Sequence, residues 1–202
     1  MKKVLLTLAL TAVCAASFAQ GKITMGNNAN HLIYFGGAVK AADSALAITA
    51  ITQAVTPSGA TFLIDLYGGT SAGTMVLQTT APINVLAGGG GFGNINFISP
   101  NMPGGINGTF QVKVREVGFA TAELAFANGG YSGFGQIFTF TPSSSIAFNS
   151  IVTGGSTTWA NGTQVLPTGL GAIAVTVAPE PTSMALAGIG AAAMVIFRRR
   201  NK

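Results

Sequence analysis

Thr109-Phe110-Gln111-Val112-Lys113-Val114-Arg115-Glu116-Val117 decides the fold. Phe110, Val112 and Val114 alternate strictly with Gln111, Lys113 and Arg115. That period of two belongs to a β-strand with one face on a core and the other in water. Working outward, β-branched and aromatic residues gather in further short runs: Leu32 to Phe35, Thr61 to Tyr67, Thr74 to Thr79, Asn94 to Ile98, Gln136 to Thr141 and Ala172 to Val177. Ala45 to Thr52 and Ile146 to Ile151 are weaker candidates, and Ile137, Phe138 and Phe140 point to a strand buried on both faces. Gly68-Gly69, Gly88 through Gly91, Gly104-Gly105, Gly129-Gly130 and Gly154-Gly155 punctuate these runs as turns or loops. Thr121 to Ala127 suits a short helix ended by Asn128-Gly129. The expected body is therefore all-β, a single antiparallel β-sandwich of jelly-roll type over residues 20–178. No internal repeat is strong enough for a solenoid.

The net charge of +5 disappears from that body. Residues 20–178 carry Lys22, Lys40, Lys113 and Arg115 against Asp43, Asp65, Glu116 and Glu123, and the excess lies at the two ends. The charge thus speaks of membrane topology and not of a nucleic-acid partner.

At the N-terminus, Lys2 and Lys3 precede an apolar run from Val4 to Ala16 and a small-x-small site at Ser17-Phe18-Ala19. Thirteen helical residues span about 20 Å, short of a hydrocarbon core of about 30 Å. Residues 1–19 read as a signal-peptide helix cut by signal peptidase between Ala19 and Gln20. Cys14, the single cysteine, leaves with it, so no disulfide and no thiol nucleophile is expected in the exported protein. Polar Thr11 and bulky Val13 do not fit a lipidation site.

At the C-terminus, Pro179-Glu180-Pro181 is followed by an apolar run and then by Arg198-Arg199-Arg200-Asn201-Lys202. Each basic side chain costs about 2.5 to 3.5 kcal/mol at a bilayer centre, so moving Arg198, Arg199, Arg200 and Lys202 across would cost on the order of 10 kcal/mol. They are expected to stop transfer on the cytoplasmic side, leaving Pro179-Glu180-Pro181 at the outer face. Residues 182–197 span about 24 Å as a transmembrane helix, and Gly188, Gly190 and the alanines make it a marginal anchor. Pro179 and Pro181 disfavour helix locally and leave extended backbone for a protease cleft.

This three-part tail, residues 179–202, closely resembles the PEP-CTERM sorting signal of Gram-negative bacterial surface proteins. The resemblance implies transient residence in the inner membrane, cleavage by a membrane protease of the exosortase family, and release to the cell surface or beyond. Residues 118–140, with Gly130-Tyr131-Ser132-Gly133-Phe134-Gly135 placed before an aromatic strand, resemble a recurrent module of other secreted PEP-CTERM proteins whose activity is undefined.

Catalytic chemistry finds little to work with. His31, the sole histidine, lies beside Leu32 and Tyr34 and reads as structural; no serine sits in a nucleophile elbow, and neither a metal site nor a cofactor is expected. Asp65 and Glu116 are the carboxylates worth weighing for glycoside hydrolysis. Asp65 shares a face with Leu63 and Tyr67 and reads as solvated, whereas Glu116 reads as wet or paired with an arginine. The glycine run at 88–91 lacks the Lys-Ser/Thr of a phosphate cradle. Asn107-Gly108-Thr109 and Asn161-Gly162-Thr163 fit chance turns better than glycosylation sites. Trp159, Tyr34, Tyr67 and Tyr131 could stack on sugar rings or simply pack. The functional expectation is a non-catalytic surface or matrix protein associated with exopolysaccharide. The alternatives are a carbohydrate-binding module, which needs exposed aromatics on one face, and a secreted glycoside hydrolase, which needs converging acids.

Overall fold

The computed structural model describes residues 20–83, 91–153 and 159–178. The expectations for residues 1–19 and 179–202, including the signal-peptide and sorting helices, lie outside the described residues. In chain order the strands are β1 (Gln20–Met25), β2 (Leu32–Phe35), β3 (Phe62–Gly69), β4 (Val76–Pro82), β5 (Ile95–Pro103), β6 (Gly108–Glu116), β7 (Tyr131–Phe140), β8 (Asn149–Ser150), β9 (Gln164–Leu166) and β10 (Gly169–Val177). One helix, α1 (Ala122–Ala127), separates β6 from β7. The larger sheet runs β2-β10-β7-β6-β3-β4 with β9 beside β10, and the smaller runs β5-β1-β8.

Strand β6 behaves as its alternation requires: Phe110, Val112 and Val114 are fully buried. Phe62, Ile64 and Leu66 of β3 and Ile173 and Val175 of β10 join them from the larger sheet; Ile23 and Met25 of β1 join from the smaller. Both sheets thus enclose one core. At its centre the rings of Phe35, Phe62 and Tyr131 meet edge to face at 5.6 to 5.8 Å. In α1, Thr121 Oγ1 accepts from Leu124 N–H at 3.2 Å, and Asn128 followed by Gly129 at φ 71° ends the helix.

Several expectations are corrected. The sheets are mixed, because β10 pairs parallel with β2 and β1 pairs parallel with β8. A parallel pair needs a long crossover, and the chain between β2 and β10 passes through most of the body to supply it. Ala45 to Thr52 is not a strand. Ala41–Leu46 forms a 3-10 turn, and Ile48 at φ 57° interrupts any ladder before Ala50 bridges to Tyr34. From Ile146 to Ile151 only β8 is strand, and Ile146 is 87% exposed.

The 130–135 stretch does not precede the aromatic strand; from Tyr131 onward it is the strand. A Cβ at Gly133 would lie 2.8 Å from Ala174 O and one at Gly135 would lie 2.8 Å from Val112 O, so these glycines let the neighbouring backbones close in. Strand β7 is also not buried throughout. A bulge sets two residues of β7 against Val112, and Ile137 emerges on the exposed side while Phe138 and Phe140 stay buried.

Candidate functional site

Three polar clusters sit on this scaffold, and each contains residues singled out above. On the outer face of the larger sheet, Leu63 pairs across to Arg115 and Asp65 to Lys113. That register puts Arg115 beside Asp65: Arg115 Nε donates to Asp65 Oδ2 at 2.6 Å, and Thr80 Oγ1 donates to Asp65 Oδ1 at 2.6 Å. Arg115 Nη1 also donates to Phe119 O at 2.6 Å. Asp65 is fully buried, which overturns the solvated reading. A buried carboxylate needs a partner, and the cross-strand register provides one.

Lys113 lies next along the same face. Its ammonium is 4.2 Å from the centre of the Tyr67 ring and donates to Glu123 Oε1 of α1. Burial pushes the Glu123 carboxyl up, but the hydrogen bond and charge of Lys113, together with bonds from its own backbone and Thr121, outweigh it and hold the group below the usual range. Burial, with the charges of Asp65 and Glu123, raises the Tyr67 hydroxyl. Phe134 and Phe126 meet at 6.5 Å beside this group, 43% and 46% exposed.

The second cluster lies at one end of the larger sheet. Lys40 Nζ pairs with Glu116 Oε1 at 2.8 Å, and Glu116 Oε2 accepts from Tyr131 N–H at 3.0 Å. Tyr131 Oη donates to Asp43 Oδ2 at 2.7 Å and accepts from Lys40 N–H at 2.9 Å. Asp43 accepts twice more, from Ser58 N–H at 2.8 Å and Ser58 Oγ at 2.6 Å. Burial pushes the Asp43 carboxyl up, yet the bonds from Ser58 and Tyr131 prevail and hold it low. Burial and the bond to Asp43 raise the Tyr131 hydroxyl far above its ordinary value.

The third cluster is built on His31, which is 2% exposed. Its Nε2 lies 2.7 Å from Trp159 O, its Nδ1 lies 2.7 Å from Asn28 Oδ1, and its ring is 4.9 Å from that of Trp159. Burial lowers the imidazole's pKa more than the bond to Trp159 raises it. His31 therefore ties two loops together, as a structural histidine does.

The aromatic residues proposed for stacking on sugars are dispersed. Trp159 and Tyr131 are buried in the core, Tyr34 lies half-buried over Gly171, and Tyr67 lies half-buried under Lys113. The acids do not converge either. Arg115 and Glu116 are successive residues of β6 and point to opposite faces; Asp65 bonds the first and Lys40 the second. A shallow pocket of about 350 Å³, lined by Gly105, Thr141–Ser145 and Ala147–Asn149, contains hydroxyls and the Phe148 ring but neither an acid nor a histidine. Among the described residues no three of His, Cys, Asp and Glu cluster as a metal site.

Strand β10 ends at the second cluster, where Val177 pairs with Tyr131 and donates its N–H to Ala38 O at 3.1 Å. Residue 177 is also where a family model begins to match, and the match continues to residue 200. The chain carries a PEP-CTERM protein-sorting motif.

The PEP-CTERM motif, consistent with an exosortase substrate, contains Pro179, Glu180, Pro181, Arg198, Arg199 and Arg200, whereas Lys202 lies just beyond the match. It implies export and a membrane-anchored sorting signal, then the cell surface. Neither a curated protein nor a solved structure matches the chain. Among the described residues no helix is long and apolar enough to cross a membrane. Sequence reasoning missed Phe126 and Phe134 as the exposed aromatic pair. The glycines beside Phe134 are the trace in the sequence, and they do not show which way a ring faces.

Proposed function

We propose that this chain is an exported cell-surface or extracellular-matrix protein, processed by an exosortase-type protease and retained, without catalytic activity of its own, among exopolysaccharide. The PEP-CTERM match over residues 177–200 carries the reading. The two-sheet β body, formally neutral, is compatible with this reading as a scaffold suited to a crowded extracellular layer. Replacing Pro179, Glu180 and Pro181 with alanine is expected to leave uncut precursor in the inner membrane. Identical fractionation of wild type and variant, with the same C-terminal peptide by mass spectrometry, would refute it.

A second reading, a carbohydrate-binding module, is favoured by Phe126 and Phe134, exposed beside Tyr67, Lys113 and Gln111 on one sheet face. Sugar C–H faces stack on such rings while amide and ammonium groups bind hydroxyls. A glycan array probed with residues 20–178 tests it: signal that Phe134→Ala abolishes supports the module, and absence of signal opposes it.

A further inference from the structure

The sorting motif begins at the last residue of a central strand, with hardly any spacer. Val177 is still bonded on both sides, to Ala38 and to the Tyr131 strand, and only residues 178–181 separate it from the apolar run that starts at Thr182. Fully extended, such a four-residue tether reaches about 14 Å. The strand it hangs from is about 30 Å long at ~3.3 Å per residue. The headgroup layer alone occupies about 5 to 7 Å on each side of the hydrocarbon. A tether half as long as the body cannot let the body tumble freely: one end must stay close to the lipid.

The end in question is defined by register. Strand β10 runs parallel to β2, so Gly36 to Lys40 lie beside Val177. The antiparallel neighbours bring Gly130 and Tyr131, then Glu116 to Phe119, then Thr61 and Phe62 to the same end. Charge there is cancelled: Lys40 is paired with Glu116, and Asp43 is buried beneath Tyr131 and Ser58. Among the described residues, what faces outward is small or apolar, with Gly37, Ala38 and Gly118 exposed, Val117 48% exposed and Val55, in the loop before β3, 54% exposed. Such a surface neither repels anionic headgroups nor gives up strong hydration when it meets them.

We propose that this end of the larger sheet, built from Gly36–Lys40 and Glu116–Phe119 around Val177, is the face that rests on the outer leaflet of the inner membrane before sorting cleavage. The inference rests on the sorting reading above. The opposite end, with Gly73 and Gly105, points away from the lipid.

Single cysteines report on this directly. Gly37, Gly118 and Gly73 all have open space where a Cβ would be added, so Gly37→Cys, Gly118→Cys and Gly73→Cys fit without displacing neighbours. The full chain, with Cys14→Ser, is expressed in a host without a sorting protease, purified from its membranes and labelled with a nitrobenzoxadiazole dye. It is then reconstituted in phosphatidylethanolamine–phosphatidylglycerol vesicles containing a headgroup-labelled quencher lipid. Given the ~30 Å between the ends, quenching at residues 37 and 118 is expected to exceed that at residue 73 by on the order of twofold or more. Equal quenching at all three, or stronger quenching at 73, would overturn the proposal while the sorting reading stands. A chain that is not recovered with membranes at all would overturn both.

Discussion

Replacing Arg115 with methionine probes how the larger sheet tolerates a charge under its outer face. The substitution keeps most of the aliphatic volume but removes the donor 2.6 Å from Asp65 Oδ2, leaving the carboxylate with Thr80 Oγ1 as its remaining side-chain donor. The Asp65 side chain is 1% exposed, so water cannot take the place of the guanidinium. Removing one partner of a buried pair costs about 3 to 5 kcal/mol, against about 0 to 1 kcal/mol for a surface pair. For a domain of this size, each kcal/mol moves the melting temperature by about 2 to 4 °C, so Arg115→Met is expected to lower it by about 6 to 20 °C. Thermal melting of the purified protein by circular dichroism, with urea unfolding for the free energy, measures the loss. The double variant Asp65→Leu/Arg115→Met should recover most of it, because no charge is then stranded and exposed Thr80 turns to water. A loss under about 1 kcal/mol for Arg115→Met would show a solvent-screened pair and refute the reasoning, as would a double variant no more stable than the single one.

Gly133→Ala is expected to destabilise the protein by about 1 to 3 kcal/mol in urea, since its Cβ would meet Ala174 O at 2.8 Å and a ladder carbonyl has nowhere to go. Trp159→Ala should cost about 3 to 5 kcal/mol, because the ring is 2% exposed between His31 and Phe92. Acid should lower the stability of the body in two stages. The folded state holds His31 below its ordinary value, so its contribution is present above about pH 6.5 and lost as the pH falls beneath that. The carboxyls of Asp43 and Glu123 are also held low; their contribution is present above the ordinary carboxylate value of about 4 and lost as the pH falls through their lower folded values. A pH titration of the urea midpoint tests both stages, and His31→Gln should remove only the first.

The local features of the fold were legible in the chain and the long-range ones were not. Strict alternation from Phe110 to Arg115 defines β6, and Thr121 with Asn128-Gly129 brackets α1, because both depend on residues a few positions apart. Asp65 was placed on the correct face by its period, but its partner Arg115 is fifty residues away and is chosen by the β3–β6 register. The parallel pairing of β2 with β10 spans still more of the chain. The aromatics failed for a related reason: whether Trp159 and Tyr131 face a core or a ligand is decided by neighbours such as Phe92 and Phe35. Pro179-Glu180-Pro181 is the counterexample, since the motif was readable residue by residue and the strand before it, Ala172 to Val177, was too, although that strand's place inside the larger sheet was not.

Intact-mass analysis of the protein recovered from outside the cell bears most directly on the claim that this body is exported and then cut from its anchor. The expected mass corresponds to a chain that begins at Gln20 and ends upstream of the apolar run at 182–197. Extracellular protein still carrying Arg198, Arg199, Arg200 and Lys202 would contradict it.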